Sequence, residues 1–194
     1  YGSFTSETNK FGLYRLPIDN LSAQPEFVSD KGTKIIDFTD RNTCVLFGDG
    51  AGAIVVSKGT GIFASYCNSS GNLEALKAPA INKNENNHYL TMAGQDVFKF
   101  AVKVIPESID AVLEKTSLTL DDIKYVVCHQ ANYRIIRNVY KKMKSTEEKF
   151  YMNLQEYGNT SAASIPLALG EMNEKGMLNP GDKIICVGFG GGLT

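Results

Sequence analysis

The chain has 194 residues, with 20 Lys+Arg against 21 Asp+Glu and a formal net charge of −1. That balance argues against general affinity for nucleic acid or an anionic membrane. Hydrophobic residues at 43% and charged residues at 21% make a globular mixture with enough apolar surface for a core. No apolar run approaches the roughly 20 residues that span a bilayer. The first residues, Y-G-S-F-T-S, carry neither the charged nor the apolar region of a signal peptide, and without Met the natural start is expected upstream of Tyr1. Four cysteines, Cys44, Cys67, Cys128 and Cys186, fit neither a disulfide scaffold nor a zinc spacing. Three of them have apolar or small neighbours, so they are expected as reduced, buried cytoplasmic thiols.

Residues 1–33 are polar and contain Pro17 and Pro25; they read as loop or poorly packed extension. Residues 43–57 hold two apolar runs around a glycine turn, a buried strand or strand–turn–strand. A short β-rich stretch is expected at 61–66 and a solvated loop, carrying His88, at 68–88. From 96 to 115 the period becomes helical. Phe98, Ala101, Val102, Ile105, Ile109, Val112 and Leu113 make the apolar stripe, and Pro106 inside it predicts a kink. A capped turn at 118–122 precedes a short continuous apolar run at 125–128, read as a buried strand. A helix over 132–143 has Ile135, Ile136, Val139 and Met143 inward. A strand is expected at 150–154. A helix follows over 161–175, with Pro166 in its first turn and Gly176 as its stop. A turn at 179–182 leads to a last strand over 184–189, ending in Gly190, Gly191 and Gly192. Alternating helices and short continuous apolar strands predict an α/β fold with a mostly parallel sheet covered by helices.

Three of these strands run into polar or glycine loops. They are His129-Gln130-Ala131-Asn132, Tyr157-Gly158-Asn159-Thr160-Ser161, and Gly190-Gly191-Gly192. Loops at the carboxyl ends of parallel strands share one edge, where ligands bind. An imidazole, a carboxamide and glycine N–H groups gathered there could hold a carbonyl oxygen as it becomes an enolate, together with a second oxyanion. Taken singly, His129 also fits a satisfied histidine at a strand end, Asn159 a turn or cap residue, and the glycines a plain turn. G-D-G-A-G-A at 48–53 lacks the Lys-Ser/Thr ending of a phosphate loop and no helical period follows it. Cys128 and His129 are strand neighbours pointing to opposite faces, not a dyad. His88 reads as solvated, and no metal site is expected.

Six ordered motifs carry a resemblance. They are T-D-R-N-T at 39–43, L-F-G-D-G-A-G-A at 46–53, L-T-M-A-G at 90–94, H-Q-A-N at 129–132, G-N-T-S-A-A-S at 158–164 and G-F-G-G-G at 188–192. In this order and spacing the chain resembles β-ketoacyl-acyl carrier protein synthase III, a thiolase-fold condensing enzyme of fatty acid biosynthesis, over roughly residues 34–194. The resemblance implies an acyltransferase in which a cysteine takes an acyl group from acyl-coenzyme A. Malonyl-acyl carrier protein then loses CO2 and the carbanion attacks the thioester. By position, His129 and Asn159 would stabilise the enolate and Gly191 would supply an oxyanion N–H. Arg41, Phe98 and Asn132 would meet coenzyme A, which is a substrate; no permanently bound cofactor is implied. Arg134, Arg137 and Lys141 share one helix face, which read plainly is a solvated surface. Through the resemblance, Lys99, Arg134 and Lys141 form a cationic patch that steers an acidic carrier protein.

The resemblance implies a thiolase-like fold that is incomplete: residues 1–33 an unmatched polar extension, 34–58 a remnant of the N-terminal half, and 59–194 the C-terminal domain. None of the four cysteines has the family's nucleophile context, so the chain alone is expected to be inactive in condensation while retaining part of the decarboxylation apparatus. Residues 1–33 show no apolar strand of the kind expected before T-D-R-N-T, and Gln95 stands where Asn is common. The expected setting is the cytoplasm, and the full-length form is expected to be a homodimer. Two other readings stay open: a non-catalytic module that docks a carrier protein or assembly partner, and a polyketide starter synthase of the same fold.

Overall fold

The computed structural model describes residues 13–14, 24–31, 35–56, 61–78, 89–191 and 193–194; His88 and Gly192 lie outside them. Strands β1 (Leu13–Tyr14), β2 (Gln24–Lys31) and β3 (Asp49–Val56) form a three-stranded sheet in the order β1-β3-β2. β1 runs parallel to β3, and β2 pairs antiparallel along all eight residues, from Gln24↔Val56 to Lys31↔Asp49. The loop expected over 1–33 is therefore corrected for 13–14 and 24–31. The polar run Q-P-E-F-V-S-D-K carries a weak strand pattern of its own and is held by its partner's ladder. Pro25, with no N–H to donate, is tolerated because β2 pairs only with β3 among the described residues.

The expected glycine turn is also corrected: Gly50 and Gly52 lie inside β3, with Gly48 just before it. Alternate residues share one strand face, and this face lies against the segment 157–167. A Cβ on Gly48 would sit 2.6 Å from the Tyr157 carbonyl oxygen, one on Gly50 2.8 Å from Leu167, and one on Gly52 2.4 Å from Pro166. The glycines let a strand approach backbone and helix closely, which also removes any phosphate-loop geometry.

Residues 61–66, expected as β-rich, pair with no strand among the described residues. Ile62 and Phe63 are exposed, and the segment's end is held by Lys115, whose Nζ donates to the Ser65 carbonyl at 2.7 Å and lies over the Tyr66 ring. Within the expected loop, Leu76–Lys77 (β4) pairs antiparallel with Thr91–Met92 (β5).

Helix α1 (Gly94–Thr116) buries Val97, Ala101, Ile105, Pro106, Ile109 and Leu113, and runs on through Pro106. Proline removes the N–H that would bond the carbonyl four residues back. That carbonyl, of Val102, accepts instead from Lys142 Nζ at 3.4 Å. Lys142 ends α2 (Tyr133–Lys142), whose N-cap Asn132 accepts from the Arg134 N–H at 2.8 Å.

Strands β6 (Tyr125–Cys128) and β7 (Ile184–Val187) pair in parallel. Val126 and Cys128 join α1, α2 and Phe150 in one apolar cluster, while Val127 packs with Ala168 and Met172 of α4 (Ser164–Glu174). Both faces are covered, which is why β6 reads as an unbroken apolar run. The strand expected at 150–154 is reduced to a single parallel bridge, Val126↔Phe150, before the short helix α3 (Leu154–Tyr157). The Asn153 N–H leaves the ladder direction and donates to Gln130 Oε1 at 3.1 Å. No helix among the described residues is long and apolar enough to cross a membrane.

Candidate active site

Because β6 and β7 are parallel, their carboxyl ends open at one edge. His129 extends the ladder by one bond, its N–H donating to the Val187 carbonyl at 2.7 Å. The residue is 9% exposed; its ring packs edge to face with Phe189, centroids 5.0 Å apart, and places Nδ1 2.7 Å from Ser164 Oγ. Burial pushes the imidazole pKa down to about 4, so near neutrality it is an uncharged ring that exchanges hydrogen bonds rather than a cation.

Asn159 arrives from the loop after α3. It bridges Phe47, its N–H donating to the Leu46 carbonyl at 2.9 Å and its carbonyl accepting from the Gly48 N–H at 2.8 Å. Preceding Gly158 takes φ 67°, a left-handed turn favouring glycine. The side-chain Oδ1 of Asn159 accepts from the Ser161 N–H at 2.9 Å. That bond orients the amide and leaves its NH2 as the end available to a ligand.

His129, Asn159, Gly191, Phe98 and Asn132 all line one cavity of about 860 Å³. Its remaining wall is largely apolar, with Ile36, Leu46 and Met92 among it. Gly190 closes a turn with Thr194, leaving Gly191 exposed at the cavity with no backbone acceptor for its N–H among the described residues. Arg41 is exposed in the turn before β3 and does not line the cavity, although its neighbour Asn42 does. Lys99 is exposed on α1, 3.8 Å from Asp96, and Arg134 and Lys141 are exposed on α2. All three lie outside the cavity wall.

The expectation of buried thiols holds for Cys128, whose pKa burial pushes up to about 12. It is corrected for the others: Cys44 is half-buried, and Cys186, like Cys67, is exposed. Cys186 pairs with Val127 and shares its sheet face, where the apolar cluster formed with α4 includes no residue of β7. None of the four cysteines lines the cavity. Among the described residues no three His, Cys, Asp or Glu side chains could jointly hold a metal ion.

Two contributors escape the reading of motifs. Gln130, 1% exposed, clamps the loop from within: Nε2 donates to the carbonyls of Cys128 at 2.7 Å and Tyr151 at 3.2 Å, while Oε1 accepts from Asn153. Ser164 meets His129 from the start of α4. Position alone suggests a helix-start hydroxyl; only the fold carries it to the imidazole.

The family model described as 3-oxoacyl-[acyl-carrier-protein] synthase III C terminal matches residues 113–194, and that of 3-oxoacyl-[acyl-carrier-protein] synthase III matches 27–71. A β-ketoacyl-[acyl-carrier-protein] synthase III of Clostridium botulinum (strain 657 / Type Ba4) is 53% identical over 174 residues, 84% of this chain and 53% of that protein. The chain belongs to the β-ketoacyl-acyl carrier protein synthase III family. The crystal structure of the synthase III of Aquifex aeolicus VF5 superposes with TM-score 0.80 at 41% identity, covering 87% of this chain and 54% of that one. The priming β-ketosynthase of the R1128 polyketide pathway follows at TM-score 0.79 and 30% identity, over 88% and 54%. The fold is thus the thiolase-like α/β fold of synthase III enzymes, present in part. The chain spans about half the length of the synthase III relatives it matches. The match over 27–71 includes part of β2 and all of β3, which fits their pairing in one sheet.

Proposed function

We propose that this chain carries the decarboxylating, enolate-stabilising side of a β-ketoacyl-acyl carrier protein synthase III, an acyltransferase that begins fatty acid biosynthesis. The observation that carries the reading is the sharing of one cavity by the His129 imidazole, the Asn159 amide and Gly191. A malonyl thioester seated there would place its carbonyl oxygen against the His129 ring N–H and the Asn159 NH2. The bond between the carboxylate and the α-carbon breaks, CO2 leaves, and the electron pair moves into an enolate whose oxygen those two donors hold. The α-carbon then attacks an acyl thioester. The oxygen of that carbonyl takes the developing charge against the Gly191 N–H, and the thiolate leaves.

Donors aimed at developing charge are each worth about 100- to 1,000-fold in rate. The acyl group would arrive on a cysteine other than these four, since none reaches the cavity. In this reading condensation uses a nucleophile other than Cys44, Cys67, Cys128 and Cys186. Phe98 and Asn132 on the wall, with Arg41 nearby, suit the pantetheine and nucleotide ends of coenzyme A as substrate, and no permanently bound cofactor enters the reading. Exposed Lys99, Arg134 and Lys141 suit encounter with an acidic acyl carrier protein. A second copy of the full-length form and a cytoplasmic setting complete the reading. The curated relatives at 51–53% identity are synthase III proteins, and this favours the fatty acid role; the polyketide priming enzyme, at 30%, falls within the 26–41% spanned by the solved synthase III structures.

The test is CO2 release from carboxyl-labelled malonyl-acyl carrier protein by this chain. Release is expected, and His129→Ala and Asn159→Ala should each lower it by about 100-fold. Binding of the carrier protein with no release would turn the reading toward a docking module. Release that survives both substitutions would remove His129 and Asn159 from the chemistry.

A further inference from the structure

Ser164 Oγ stands between two groups. The Gln130 N–H, which can only donate, lies 3.2 Å away, and His129 Nδ1 lies 2.7 Å away. Ser164 is 2% exposed and borders the cavity, and among the described residues its hydroxyl meets only these two groups. A hydroxyl has one hydrogen and two lone pairs. One lone pair takes the Gln130 N–H. No other acceptor faces the hydroxyl among the described residues, so its hydrogen is satisfied only by pointing at Nδ1. The opposite arrangement, with Nδ1 protonated and donating to Oγ, would leave that hydrogen with no protein acceptor, at a cost in a group so little exposed.

We infer that Ser164 is a positioning residue that makes His129 Nδ1 an acceptor and so places the ring's single proton on Nε2, the nitrogen free of Ser164. Three anchors hold the ring: the Val187 carbonyl on its backbone N–H, the Phe189 edge, and the Ser164 hydroxyl. Only the last distinguishes the two ring nitrogens. Ser164 reaches His129 from the first residue of α4 and lines the same cavity, so it acts on the ring from beside the site. The same oxygen binds the N–H of Gln130, whose side chain locks the loop, so one hydroxyl sets both the tautomer and the course of the backbone beside it. The inference deepens the proposed function, because a ring N–H facing the thioester carbonyl is what that reading requires.

The chain has two histidines, so long-range 15N–1H correlation spectra assign readily with a His129→Gln control. In the unmodified chain the proton is expected on Nε2, with Nδ1 an acceptor; a proton on Nδ1 overturns the inference whatever the activity. For malonyl-thioester decarboxylation, Ser164→Ala should lower kcat by about tenfold with KM little changed, as expected when a group is misaligned rather than removed. Ser164→Thr, which keeps the hydroxyl, should recover it. A Ser164→Ala chain with native circular dichroism and unchanged kcat would overturn the positioning role. If the unmodified chain releases no CO2, the functional reading fails, and the nitrogen spectrum still decides what Ser164 does.

Discussion

His129 is where residue chemistry and folding meet most directly. Its pKa falls from 6.5 to about 4 because burial disfavours the charged ring. Between those values the unfolded chain binds a proton that the folded chain does not, so stability rises with pH across the interval. The contribution is complete above pH 6.5 and is lost as pH falls toward 4. At pH 5 the loss relative to pH 7 is about 2 kcal/mol. Urea unfolding at both pH values should show it, and His129→Gln should remove that part of the pH dependence. An equal pH dependence in the variant would contradict the burial argument.

At the scale of elements, two contacts explain why a local rule gives way. β3 contains glycines that a strand ordinarily avoids, because a helix and a loop press on their face. Gly52→Ala would place a methyl 2.4 Å from Pro166, whereas Gly61 has nothing within 4 Å. Thermal or urea unfolding should show a loss of about 1–3 kcal/mol for Gly52→Ala and a change near zero for Gly61→Ala. α1 likewise carries a proline that a helix interior ordinarily rejects, and Lys142 of α2 occupies the carbonyl that Pro106 leaves open. Lys142→Ala should cost about 0.5–1 kcal/mol in the native background. It should cost nearly nothing alongside Pro106→Ala, whose N–H can take the carbonyl back. A double-mutant cycle showing no coupling would dismiss the compensation. Elements whose signal is a period were legible: α1, α2, α4, β6 and β7 all lie where apolar spacing put them. β2 was not, because its polar run carries only a weak strand pattern and forms through its neighbour's unpaired ladder groups.

The whole molecule is organised around β6 and β7, with α1 and α2 on one face and α4 on the other. Residues 61–73 contribute little to that core. Phe63 is 87% exposed and Phe150 is 1% exposed, so equal side chains should behave oppositely. Phe150→Ala should lose about 3–5 kcal/mol of stability. Phe63→Ser should leave stability within about 0.5 kcal/mol and reduce self-association by interrupting exposed apolar surface. Similar losses at both positions would mean that residues 61–66 are packed in solution.

Much of the candidate site is legible in the sequence, because parallel strands obey a simple rule. Their carboxyl ends share an edge, so His129 and the glycines after β7 had to emerge together, and the motif G-N-T-S supplied the amide. Periodicity, covered strands and ordered motifs are local or nearly local, and sequence alone determined them: an α/β chain, its main helices, and the imidazole, carboxamide and glycine set. The tertiary structure decided what depends on groups far apart in the chain. It turned Gly50 and Gly52 into a packing face, gave Val102 its replacement donor 40 residues on, and brought the hydroxyl of Ser164 to a ring 35 positions away. A hydrogen bond acts over about 3 Å of space and leaves no period along the chain, so only the folded arrangement could say which atom of His129 meets the Ser164 hydroxyl.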